Sequence, residues 1–210
     1  MLENGLIQGD DGHWRCAWHS NDAEYLRYHD EEWGMPVDDD IHLFEKISLE
    51  GFQAGLSWLT ILRKRDNFRK AFDGFKFKKI SKYDETKIKT LLQDAGIIRH
   101  RGKIEATINN AKQVQLIIKE FGSFASYIWS FEPSAKQRPK KCDYKTLSQI
   151  TMDDQSKALS KDLKKRGFKF VGPTTCYAFM QSMGIVNDHV EGCYCRVKHE
   201  EERKRFKRPT

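Results

Sequence analysis

Apolar residues in this chain recur at three- and four-residue spacings, and no long segment alternates between apolar and polar. That period excludes a protein built on half-buried strands and selects amphipathic helices. The clearest case is Ile104, Ile108, Ala111 and Ile118, which share one stripe at offsets of four, seven and fourteen. The same pattern predicts helices at about 22–33, 40–53, 57–71, 84–94, 101–119, 123–131, 155–166 and 173–183. The segment from Glu132 to Tyr144 holds two prolines and many basic residues and reads as a loop. The expected architecture is an all-α bundle over residues 14–197, in one lobe or two, with 1–13 and 198–210 as flexible ends.

Lys and Arg number 37 against 30 Asp and Glu, a formal net charge of +7. Such an excess favours a polyanionic partner through phosphate contacts and counterion release, although many basic proteins bind no nucleic acid. Apolar runs such as Leu59 to Leu62 are far too short to cross a bilayer. Met1 to Asp11 is acidic and lacks the apolar stretch of a secretory signal. A monomer in the cytoplasm, with no membrane partner, is the expectation.

The five cysteines are an odd set, which argues for thiols or thiolate ligands over a disulfide framework. Cys16 and His29 have twelve residues between them, and His189 and Cys193 have three. Two thiolates and two imidazoles would fill a tetrahedral zinc site and leave no position for water, which makes such a site structural. It would join the N-terminal segment to the C-terminal one. On spacing alone Cys195 and His199 compete with Cys193, His19 competes with His29, and buried thiols beside ordinary histidines remain an equal reading.

From Leu159 to Cys176 a helix stops at Gly167, an apolar turn follows, and Pro173 suits the first turn of a second helix after Gly172. The amides at that helix start, ringed by Lys161, Lys164, Lys165, Arg166 and Lys169, form an anion site suited to DNA phosphate. An ordinary helical hairpin with a solvated basic face is the alternative. Glu50 shares a stripe with Leu43, Ile47 and Ala54, so its carboxylate needs a partner or a task, unless it reaches solvent at the helix end. Tyr25, Tyr28, Trp33 and Trp58 lie near it in sequence. Such rings more often build a core, but beside a carboxylate they also hold a flat cationic heterocycle.

Six blocks carry a resemblance: RCAW at 15–18, YHDEEWG at 28–34, LEGFQAGLSW at 49–58, DAGIIRHRGKI at 94–104, LKKRGFKFVG at 163–172 and VNDHVEGC at 186–193. Together they resemble the 3-methyladenine DNA glycosylase I family, within the helix–hairpin–helix DNA glycosylases. The resemblance implies a monofunctional N-glycosyl hydrolase that excises 3-methyladenine from alkylated double-stranded DNA and leaves an abasic site. It implies one structural zinc held by Cys16, His29, His189 and Cys193. It matches Glu50 to the acidic residue that hydrogen-bonds the base, Tyr28 and Trp58 to the enclosing rings, and Leu56 to a residue that fills the gap in the duplex. Gly167, Lys169 and Gly172 would hold the phosphate. Asp188 stands near the catalytic aspartate of the wider superfamily, yet it equally suits orienting its neighbour His189. The rival from another class is a zinc-stapled, non-catalytic protein that binds bent or damaged duplex.

Overall fold

The computed structural model describes residues 4–19 and 22–210. Among them, β1 (Leu6–Gln8) pairs antiparallel with β2 (Trp14–Cys16), Leu6 opposite Cys16. Then come α1 (Ala23–Glu31), α2 (Asp40–Gln53), α3 (Trp58–Leu62), α4 (Arg65–Ala71), α5 (Phe77–Ile80) and α6 (Glu85–Gln93). They are followed by α7 (Arg101–Phe121), α8 (Phe124–Trp129), α9 (Tyr144–Leu147), α10 (Asp154–Lys165), α11 (Pro173–Ser182) and α12 (Tyr194–Arg205). The all-α expectation is met, with one short hairpin added.

Local chemistry explains most helix starts. Asp22, Asp39, Ser57, Asp84, His100, Ser123, Asp143 and Asp153 each cap the helix that follows, the side chain accepting from a backbone amide in the first turn. α2 lies at the centre, packed on α3, α7, α8 and α11. Every residue from Leu43 to Phe52 is buried, so α2 is enclosed on all sides and its charged side chains must find partners inside the protein. The rings of Phe44, Phe52, Phe68, Phe72 and Phe75 meet at centroid distances between 4.7 and 6.4 Å and lock α2 to α4.

Three expectations need correction. The helix expected over 57–71 is two helices, broken at Arg63 and Lys64 without a glycine or proline. The break lets Leu62 and Phe68 both enter the core while Arg65 pairs with Glu32. The single-turn helices α5 and α9 are too short for any period to show. The ends are also built into the fold: β1 lies within the expected N-terminal end and pairs with β2, and α12 covers part of the expected tail. His199 of α12 is buried against His189, Phe206 packs on Trp129 at 4.6 Å, and Arg203 and Arg208 both bind Glu132. Residues 1–3 of the expected N-terminal end lie outside the described residues.

Candidate active site, DNA-facing surface and metal cluster

Near its C-terminal end α2 presents Glu50 to a cavity of about 530 Å³, walled by Tyr28 from α1, Trp58 from the first turn of α3, and Trp18, Trp33 and Asp188. The structure thus brings together the three residues expected at the base site. Tyr28 and Trp58 lie 5.4 Å apart between ring centroids, inclined at 41°. Glu50 does not reach solvent; its side chain is 5% exposed. One turn earlier on α2, Lys46 sets its ammonium 2.8 Å from a Glu50 oxygen and donates to the Tyr28 hydroxyl at 2.8 Å. It also lies 3.2 Å from the centroid of the Trp58 ring. Burial pulls the Lys46 amine from its ordinary 10.5 down to about 8, against the opposing pull of Glu50. Burial, and then the Glu50 charge, push the Tyr28 phenol well up. Sequence reasoning missed Lys46; the only signal was a lysine four residues before the glutamate on one stripe.

Asp188 also faces the cavity, but its oxygens are occupied. Arg138 donates to one, and the Tyr177 hydroxyl at 2.7 Å and Gln181 at 2.8 Å donate to the other. A carboxylate with these partners is a poor base for activating water. It does not hydrogen-bond His189: the side chain at the His189 amide is Asn187.

α10 and α11 form the expected helix–hairpin–helix. Gly167 takes φ +89°, the Phe168 amide bonds back to Leu163 and the Gly167 amide to Lys164, which closes α10 in the arrangement that a left-handed residue permits. Gly172 caps α11 with Pro173 in its first turn. A Cβ at Gly172 would meet nothing closer than Thr175 at 3.9 Å, so the space outside it is open to an approaching ligand. Lys161, Lys164, Lys165 and Lys169 are exposed, but Arg166 is engaged by Asp162 and Glu120 and drops out of the expected basic ring. The hairpin is held from α7: Asn110 accepts from the Lys169 amide at 2.9 Å and donates to its carbonyl at 3.0 Å, and Asn109 donates to the Gly167 carbonyl at 2.7 Å. Lys103, also on α7, donates to the Phe52 and Ala54 carbonyls at 2.9 and 2.6 Å and so fixes the loop carrying Leu56. Leu56 is 41% and Phe170 39% exposed. Phe170 sits over Gly51, where an added Cβ would come within 3.3 Å of the phenylalanine Cβ; the hairpin therefore abuts the residue next to Glu50.

Cys16, His29, His189 and Cys193 are all buried, and their ligand atoms lie within 4.8 Å of one another. Cys193 Sγ is 3.5 Å from His29 Nε2 and from His189 Nδ1, and Cys16 Sγ is 3.8 Å from His189 Nδ1. Tetrahedral zinc bonds would set sulfur and nitrogen about 3.6 Å apart, so the donor set fits such an ion. The remaining ring nitrogens are oriented from outside: His29 Nδ1 by Asp30 at 2.7 Å and His189 Nε2 by the Trp33 carbonyl at 3.0 Å. Hydrogen bonds from Cys16 and Cys195 push the Cys193 thiol well down, and hydrogen bonding to Cys193 pushes Cys16 well up. Of the competitors, Cys195 lies 3.9 Å from the other ring nitrogen of His29, Nδ1, and groups with His29 and Asp30 rather than with the four. The ring of His199 packs on His189 at 4.6 Å, outside the cluster of four.

The profile of the methyladenine glycosylase family matches residues 18–197. The DNA-3-methyladenine glycosylase 1 of Escherichia coli (strain K12) is 52% identical over 182 residues, 86% of this chain and 96% of that protein. The DNA-3-methyladenine glycosylase of Haemophilus influenzae is 50% identical over 184 residues, 87% of this chain and 98% of that protein. A solved structure of a Tyr-to-Phe variant of 3-methyladenine DNA glycosylase I in complex with 3-methyladenine shares 36% identity and superposes with a TM-score of 0.81, covering 87% of this chain and 97% of that one. By its sequence, its helical fold and its relatives, this chain belongs to the methyladenine glycosylase family.

Proposed function

We propose that this chain excises 3-methyladenine from alkylated double-stranded DNA by hydrolysing the N-glycosidic bond. The observation that carries the reading is Glu50, a buried carboxylate that lines one cavity together with Tyr28 and Trp58. A protein that only grips duplex gains nothing from enclosing a carboxylate among rings. The hairpin amides and Lys169 hold phosphate without reading sequence, and Leu56 fills the gap as the damaged nucleotide turns out of the stack.

In the cavity the rings stack on the cationic base, and Glu50 accepts from its amino edge. Water oxygen bonds to the sugar carbon C1′ as the bond to the base breaks. The bonding pair moves onto the base and cancels its positive charge, and a water proton passes to solvent. A leaving group that departs neutral needs no strong general acid. Glu50 and the DNA phosphates stabilise the cationic sugar. Normal adenine lacks the charge that Glu50 rewards. Among the described residues no lysine lines the cavity, so none there offers an amine to the sugar, and the reaction is read as stopping at an abasic site.

The Cys/His cluster is read as one structural zinc. Its four protein ligands leave no open position, which argues against a zinc hydrolase. The reading is tested by incubating the protein with methylated duplex and measuring free base. Release of 3-methyladenine, with unmodified adenine retained, is expected. Duplex binding with no base released would refute the enzyme and favour the non-catalytic binder.

A further inference from the structure

Lys46 is a buried ammonium on a helix enclosed on all sides, and burying it opposes folding. Its surroundings single out one counter-charge. From α1 it meets Tyr28 and Glu32, from α4 Arg65, and from its own helix His42, Glu45 and Glu50, while α3 and α11 bring only uncharged side chains. Glu32 is bound to Arg65 at 2.9 Å and Glu45 to Arg69 at 2.9 Å, and burial lowers the His42 imidazole below its ordinary value. That leaves Glu50. The two are nearly dry, each side chain 5% exposed, and the ammonium approaches from the side of Tyr28 and Trp58 that the cavity does not reach.

We infer that Lys46 is a positioning residue for base excision: from behind the cavity its ammonium supplies the counter-charge that pairs with and fixes the Glu50 carboxylate, and braces Tyr28 and Trp58, before the cationic base arrives. Without that charge the buried carboxylate is left unpaired, and burial penalises a charge that has no partner. The arriving base then brings a second positive charge to Glu50, on the open side. The inference rests on the glycosylase reading above.

Single-turnover release of 3-methyladenine is followed from about pH 4 to about pH 9, a window that reaches an ordinary carboxylate and the Lys46 amine. Lys46→Met removes the charge at similar length, Lys46→Gln keeps a donor, and Lys46→Arg keeps the charge. In the Met and Gln variants release at the acid end of the range is expected to fall by about tenfold relative to the alkaline end, moving the acid limb up. The Arg variant is expected to keep the wild-type limb. If Lys46→Met fails to fold, by thermal melting and duplex binding, Lys46→Gln carries the test. A Gln or Met variant whose profile has the wild-type shape, whether or not uniformly slower, overturns the inference, because a space-filling role does not move a pH limb. If the wild type releases no base, the glycosylase reading fails and this inference with it; an active wild type with unshifted variants sinks the inference alone.

Discussion

Glu50→Gln keeps the shape of the side chain but replaces one acceptor oxygen with an amide that faces both Lys46 and the amino edge of the base. Losing a charge-assisted bond of this kind costs about 1.5–3 kcal/mol, or roughly ten- to a hundredfold in single-turnover rate when the bond serves the transition state. Affinity for undamaged duplex should stay as in the wild type, since the hairpin does not use this carboxylate; equal excision by both proteins would remove Glu50 from the site. Lys46 adds a prediction about stability. Its folded pKa, about 8, lies below the ordinary 10.5, so the unfolded chain binds this proton more tightly. The penalty is full below pH 8 and disappears as pH rises toward 10.5. Over that window the wild type should gain stability relative to Lys46→Met, read as the difference in denaturant midpoints. Glu50 drew attention in the sequence because an acidic residue on an apolar stripe conflicts with its surroundings; among the rings near it, only the family resemblance singled out Tyr28 and Trp58. Lys46 was not, because a lysine one turn from a glutamate is also what a solvated helix face shows.

At the scale of elements, the hairpin proposed to face DNA and the Leu56 loop are both pinned by α7, through Asn109, Asn110 and Lys103. That common support sets the spacing between the proposed phosphate grip and the proposed wedge. Lys169→Glu should weaken binding to all duplexes alike and flatten the dependence on salt, because it removes a phosphate contact. Asn110→Ala should act differently. It removes two bonds to the Lys169 backbone, each worth about 0.5–1.5 kcal/mol, so it lowers thermal stability and weakens duplex binding while the salt slope is kept. A flattened slope in the alanine variant would mean that Asn110 itself meets the DNA. The hairpin was legible because Gly167, Gly172 and Pro173 encode its turns locally. The division of 57–71 into α3 and α4 was not, since no residue there disfavours a helix and the break answers to the burial of Leu62 and Phe68.

For the whole molecule, the Cys/His cluster ties β2 and α1 to the segment before α12, so the two ends of the chain meet in one buried site. Metal analysis of the purified protein should find close to one zinc per chain. Cys16→Ser should lose it together with thermal stability, because ligand binding and folding are one equilibrium at such a site; metal-free protein of undiminished stability would contradict this. The sequence by itself determined the helical period, the caps, the turn glycines and which residue types stand ready for zinc, phosphate and a cationic base. Those are properties of neighbours along the chain. Tertiary structure alone decided which charges cancel: Lys46 with Glu50, Arg138 with Asp188, Arg166 with Glu120. It also decided that the polar tail docks through His199, Phe206 and Arg208. The reason is physical. An ion pair is set by separation and local dielectric across the folded interior, and except for Lys46 and Glu50, one helical turn apart, these partners lie 46 or more positions apart in sequence.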